Sequence, residues 1–129
     1  MAKLQNSKSK RVLCVCRGGN SRSVGMAYVL KYCYGHDALA AGVEGNEKHT
    51  LRMLCEWAQV IICMRPEFKI GIPAKYHRKV RCLDVGRDVY FNPHPELVQQ
   101  AAAFIEQHED LKTIVTPGEV RETLVFVDS

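Results

Sequence analysis

Within eight residues, Cys16-Arg17-Gly18-Gly19-Asn20-Ser21-Arg22-Ser23 gathers a thiol, two guanidiniums, two adjacent glycines and two hydroxyls. Gly18 and Gly19 let the backbone pass through positive φ and approach a ligand closely, so that successive N–H groups point into one hollow. If the hollow opens at a helix N-terminus, the free amides and the helix dipole favour an anion. Arg22 can span two oxygens of a phosphate with its planar fork. Cys16 stands at the start of this nest, where the same positive field stabilises a thiolate. Ser23 can donate its hydroxyl to the sulfur and ease departure of the thiolate from a phosphocysteine. Residues 16–22 therefore read as a phosphate-binding loop, with Cys16, Arg22 and Ser23 as its catalytic members. A structural cysteine before a glycine turn is the plainer alternative, and it leaves the arginine and serine spacing unexplained.

Hydrolysis of a phosphomonoester also needs a proton for the leaving oxygen and a base for the attacking water. Asp84 is the first candidate and Asp88 the second. Each is equally at home capping a turn. His94 precedes Pro95, where it suits a helix start as well as proton transfer. Tyr90 and Phe91 would wall a pocket for a flat aromatic ring, or pack ordinarily. Arg17 reads either as a residue at the mouth of the nest, favouring acidic substrates, or as a solvated side chain.

These residues must be positioned by a sheet. Arg11–Cys16 is an apolar run ending in glycines, as a buried parallel strand should be. A helix is expected over 23–34, with Ser23 as N-cap, Val24, Ala27, Tyr28 and Lys31 at helical spacing, and Gly35 as its stop. A weaker strand follows over Asp37–Gly42, and a helix over 47–57 carries Leu51, Leu54 and Cys55 on one face. Residues 59–64 form the clearest buried strand, ended by Pro66. After a short helical piece over 67–70 comes a fourth strand over 79–85. Next comes a polar loop over 86–95, then a helix over 96–109 with Pro95 in its first turn. Strand and helix alternate, so the expected fold is α/β: a three-layer open sheet of four parallel strands flanked by helices. Such sheets bind ligands at the carboxyl ends of their strands, where the loops after Cys16 and Asp84 both lie. Residues 113–129 break the alternation and read as an extension packed on the same domain or on a partner. Residues 1–10 read as a basic tail, and 11–112 as the domain.

The chain of 129 residues is 47% hydrophobic and 25% charged, enough for one core and too apolar for disorder. No apolar run approaches the roughly 18 residues of a bilayer span, and the start has no apolar signal core. A cytoplasmic protein is expected. Its six cysteines then read as reduced, with Cys14, Cys55, Cys63 and Cys82 in buried segments. No zinc-ligand spacing accompanies Cys14 and Cys16, and the chemistry calls for no cofactor. A net charge of +4 suits an anionic substrate. No stripe of basic and aromatic residues marks specific nucleic-acid binding.

The loop resembles that of the low-molecular-weight protein tyrosine phosphatases, especially their short bacterial and phage-type relatives. The likeness continues through Val12-Leu13-Cys14-Val15-Cys16, Ala41-Gly42, Trp57-Ala58-Gln59-Val60-Ile61-Ile62-Cys63-Met64 and Cys82-Leu83-Asp84, over roughly residues 11–100. It implies hydrolysis of phosphorylated proteins or small phosphomonoesters without metal, in a four-stranded parallel fold. Three departures stand out. Gly19 occupies the place of a family asparagine, with Asn20 one position later; Ser21 stands where many eukaryotic members have a second cysteine; and the Asp-Pro after the last strand is replaced by Asn92-Pro93 and His94-Pro95. Two further readings follow: an anion-binding module that has lost catalysis, and an arsenate-reductase-type thiol enzyme using Cys82.

Overall fold

The computed structural model describes residues 9–19, 22–85 and 95–112. Its four strands are β1 (Arg11–Cys16), β2 (Asp37–Gly42), β3 (Val60–Cys63) and β4 (Val80–Cys82), all parallel and in the order β2-β1-β3-β4. The central pair is the most apolar. All of β3 and every β1 residue after Arg11 are buried, whereas the edge strand β2 leaves Asp37 and Leu39 exposed. Three helices accompany the sheet: α1 (Arg22–Tyr34), α2 (Lys48–Trp57) and α3 (Pro95–Glu106). The strand order reverses direction at β2, so right-handed crossovers place α1 and α2 on opposite faces. The reversal leaves a crevice between the ends of β1 and β3, the switch point at which open sheets bind ligands.

The expected elements are present, with local differences. The buried side of α1 is Ser23, Met26, Val29, Leu30 and Cys33, while Val24 faces out. Its outer face carries Val24, Ala27, Tyr28 and Tyr32, nearly as apolar as the inner one, so the spacing of Val24, Ala27, Tyr28 and Lys31 could not single out the core face. Helix α2 starts one residue later than expected because Glu47 caps it, accepting from the His49 and Thr50 amides at 2.6 and 3.3 Å. Its other end lacks a basic residue of its own. Lys79 supplies one from a distance, donating to the carbonyls of Cys55 at 3.0 Å and Ala58 at 2.7 Å.

Two 3-10 helices, Pro66–Gly71 and Ala74–Lys79, fill the connection to β4, where only the first was expected. Strand β4 is shorter than the expected 79–85, although the Leu83 and Val85 amides continue the pairing onto Cys63 and Met64. Being an edge strand, it leaves Cys82 exposed rather than buried as expected. Helix α3 begins at Pro95 and packs Leu97, Ala101 and Ile105 into the core. Tyr34 of α1 donates to Glu106 of α3 at 2.6 Å. The tail 1–8, the loop 86–94 and the extension 113–129 lie outside the described residues.

Candidate active site

The candidate nucleophile is set by the sheet itself. Cys16 is the last residue of central strand β1, fully buried, and α1 begins six residues later with Arg22. Helix and strand thus meet around one sulfur. The Gly19 amide donates to Cys16 Sγ at 3.1 Å, and Ser23 Oγ lies 3.1 Å from the same atom. Ser23 was expected to cap the helix; instead it is the second helical residue, and its hydroxyl is turned onto the sulfur. Arg22 is 2% exposed, with its guanidinium carbon 5.0 Å from the centre of the Phe68 ring. Asn20 and Ser21 lie outside the described residues.

The loop owes its shape to a neighbouring turn. The carbonyl of Cys16 accepts from the Val43 amide at 2.9 Å, and that of Arg17 from Glu44 and Gly45 at 2.8 and 3.2 Å. In a trans peptide the next N–H points the opposite way. Drawing these two carbonyls toward 43–45 therefore turns the Arg17 and Gly18 amides away from that turn. The turn is closed by Asn46, whose Oδ1 accepts from the Gly42 amide at 2.8 Å while its own amide donates to Gly42 O at 3.2 Å. Gly19 has φ 78°, and a Cβ there would come within 2.6 Å of Gly42 N. At Gly45 a Cβ would meet Gly18 O at 2.0 Å. The loop and turn touch backbone to backbone, so glycine is required on both sides.

The other candidate residues are distributed along the edge. The Arg17 side chain does not reach into the nest: it pairs with Glu44 at 3.0 Å and Glu67 at 3.4 Å, over the Phe68 ring. Only its backbone amide is available to the loop. Asp84 follows β4, two strands from β1 and so roughly 10 Å across the sheet from the Cys16 column. It is 57% exposed and lies 3.4 Å from Arg65 Nε. Asp88, Tyr90, Phe91 and His94 lie outside the described residues.

Three participants escaped the sequence reading: Asn46, Phe68 and Arg65. Asn46 looked like any turn residue. Phe68 and Arg65 sit near Pro66, which signalled a strand end and nothing more.

The remaining thiols are differently placed. Burial, with Cys16 and Cys63 nearby, pushes the Cys14 thiol well above its ordinary value. Burial also pushes Cys63 up to about 12, helped by the charge and hydrogen bond of Cys82, its register partner on β4. A resolving thiol for Cys16 would need its Cα within about 7 Å. Among the described residues Cys82, the thiol of the arsenate-reductase reading, is two strands from Cys16 and does not come within that reach. Nor do they hold a cluster of three or more His, Cys, Asp or Glu that could bind a metal. No helix among them is long and apolar enough to cross a membrane.

No protein-family model matches the chain, and no curated protein matches it. Among solved structures, Vibrio vulnificus Wzb in complex with benzylphosphonate, a low-molecular-weight protein tyrosine phosphatase, superposes with a TM-score of 0.61. The match spans 78% of this chain and 99% of Wzb at 15% identity. The chain therefore has the α/β fold of that phosphatase.

Proposed function

We propose that the chain is a cysteine-dependent phosphomonoesterase of the protein tyrosine phosphatase kind, acting on phosphorylated protein or a small phosphomonoester. One observation carries the reading: the Gly19 amide and the Ser23 hydroxyl converge on Cys16 Sγ, each at 3.1 Å, beside the buried Arg22. An amide that donates to the sulfur, with a hydroxyl able to do the same, suits a thiolate, which a structural cysteine does not need. The fold likeness to Wzb supports the same chemistry class.

In this reading the Cys16 thiolate attacks phosphorus. A P–S bond forms as the ester P–O bond breaks, and the leaving oxygen takes a proton from Asp84 or Asp88. Arg22 and the loop amides hold the equatorial oxygens, where negative charge must be balanced in the transition state. Water then attacks phosphorus and gives its proton to the same carboxylate. The P–S bond breaks, its electron pair returns to sulfur, and Ser23 stabilises the thiolate as phosphate leaves. The reaction needs a reduced thiol, which fits a cytoplasmic setting.

The test is hydrolysis of p-nitrophenyl phosphate from pH 5 to 8 by the full chain and by Cys16→Ser, with chelator present throughout. Activity that Cys16→Ser abolishes and chelator leaves alone is the expected result. Vanadate binding without turnover at any pH would instead favour the anion-binding module.

A further inference from the structure

A row of ion pairs crosses the mouth of the nest in the order of the strands. Glu44, after β2, pairs with Arg17, after β1, at 3.0 Å; Arg17 pairs with Glu67 at 3.4 Å. Glu67 pairs with Arg65, also after β3, at 3.4 Å, and Arg65 with Asp84, after β4, at 3.4 Å. Carboxylate and guanidinium alternate along the edge β2, β1, β3, β4, with a carboxylate at each end.

Resting on the phosphatase reading, we propose that this row selects phosphomonoesters whose neighbouring side chains are cationic. Arg17 is the rim cation belonging to the phosphate loop, and it already faces a carboxylate on Nη1 and another on Nη2. A substrate carboxylate can reach it only by displacing Glu44 or Glu67 and leaving two anions side by side. A substrate lysine or arginine displaces nothing. Glu44 engages Arg17 through Oε2 and is 64% exposed, so a second cation can approach it from solvent. The described part of the row holds three carboxylates and two guanidiniums, which makes it a better partner for cations than for anions. One exposed ion pair is worth a factor of about two to five, and added salt screens it.

The experiment compares three substrates with the full chain and with Glu44→Gln: p-nitrophenyl phosphate and two phosphotyrosyl peptides alike except for lysine or glutamate on both sides of the phosphotyrosine. The expected kcat/KM for the lysine peptide is about two- to fivefold above that for the glutamate peptide at low salt. The ratio should shrink in about 0.5 M salt and in Glu44→Gln. The selectivity is overturned, and the phosphatase reading kept, by p-nitrophenyl phosphate turnover together with a ratio at or below one, a ratio that Glu44→Gln does not change, or hydrolysis of neither peptide. No p-nitrophenyl phosphate hydrolysis overturns the phosphatase reading and the selectivity with it.

Discussion

Ser23 Oγ and Cys16 Sγ stand 3.1 Å apart and fully buried, one in the first turn of α1 and the other at the end of β1. A hydroxyl donated to a thiolate is a charge-assisted bond, and such bonds contribute about 1.5–3 kcal/mol. In the proposed reaction the bond is strongest when the thiolate leaves phosphorus. Ser23→Ala should therefore slow breakdown of the phosphocysteine about 10- to 100-fold. Stopped-flow hydrolysis of p-nitrophenyl phosphate should show a burst of nitrophenol in the variant; proportionate slowing of both burst and steady state would contradict this role.

The turn 43–45 aligns the loop carbonyls, and Asn46 closes the turn. Asn46→Ala removes the acceptor for the Gly42 amide and should weaken vanadate binding several-fold, whereas Asn46→Asp keeps an acceptor and should retain most of it. Gly45→Ala is harsher, because its Cβ would meet Gly18 O at 2.0 Å. Forcing the two backbones apart should cost about 1–3 kcal/mol and sharply reduce vanadate affinity. Titration calorimetry with urea unfolding separates the two effects. Equal vanadate binding by wild type and Asn46→Ala would dissociate the turn from the loop.

Asp84 is the first candidate for the proton donor, and Arg65 Nε lies 3.4 Å from its carboxylate. A general acid matters most for a poor leaving group. Asp84→Asn should thus lower turnover of phenyl phosphate by about 10²- to 10⁴-fold, and that of p-nitrophenyl phosphate much less. A loss of that size in Asp88→Asn, with Asp84→Asn nearly unchanged, would assign the acid to Asp88.

His36 ties three segments together in the core. Its Nδ1 accepts from the Lys10 amide at 3.0 Å, so the proton is on Nε2, which donates to Leu111 O at 2.6 Å. Burial lowers its pKa; Leu111 and Asp110 oppose the shift, and Lys10 adds to it. The unfolded chain therefore takes up the proton first as pH falls. The stability His36 contributes is complete above its unfolded value of about 6.5 and is lost as pH drops through the lower folded value. His36→Phe leaves the Lys10 amide and the Leu111 carbonyl without this partner and should cost about 2–3 kcal/mol near pH 7.5. In urea unfolding the difference between wild type and variant should narrow by pH 5; a constant difference would exclude the linkage.

The order of strands and helices was legible because it rests on local signals. Val60, Ile61 and Ile62 are apolar in succession and became a central strand, while Pro95 opened a helix where its missing amide does no harm. Helix faces were less legible. Helix α1 carries apolar residues such as Val24 and Tyr32 on its exposed face as well, so no stripe in its sequence marks the core.

By itself the sequence determined the parallel α/β frame and marked out the candidate nucleophile with the loop around it, because these depend on residues adjacent in the chain: a strand, two glycines, an arginine and a helix. Only the tertiary structure decided what surrounds them. Arg17 is pulled outward by Glu44 and Glu67, 27 and 50 residues away. Lys79 caps a helix more than twenty residues behind it. Phe68 lies against the Arg22 guanidinium. The physical reason is range. Backbone preference and capping act within a few residues, whereas ion pairs, ring contacts and backbone-to-backbone packing join whatever the strand order β2-β1-β3-β4 brings to one edge.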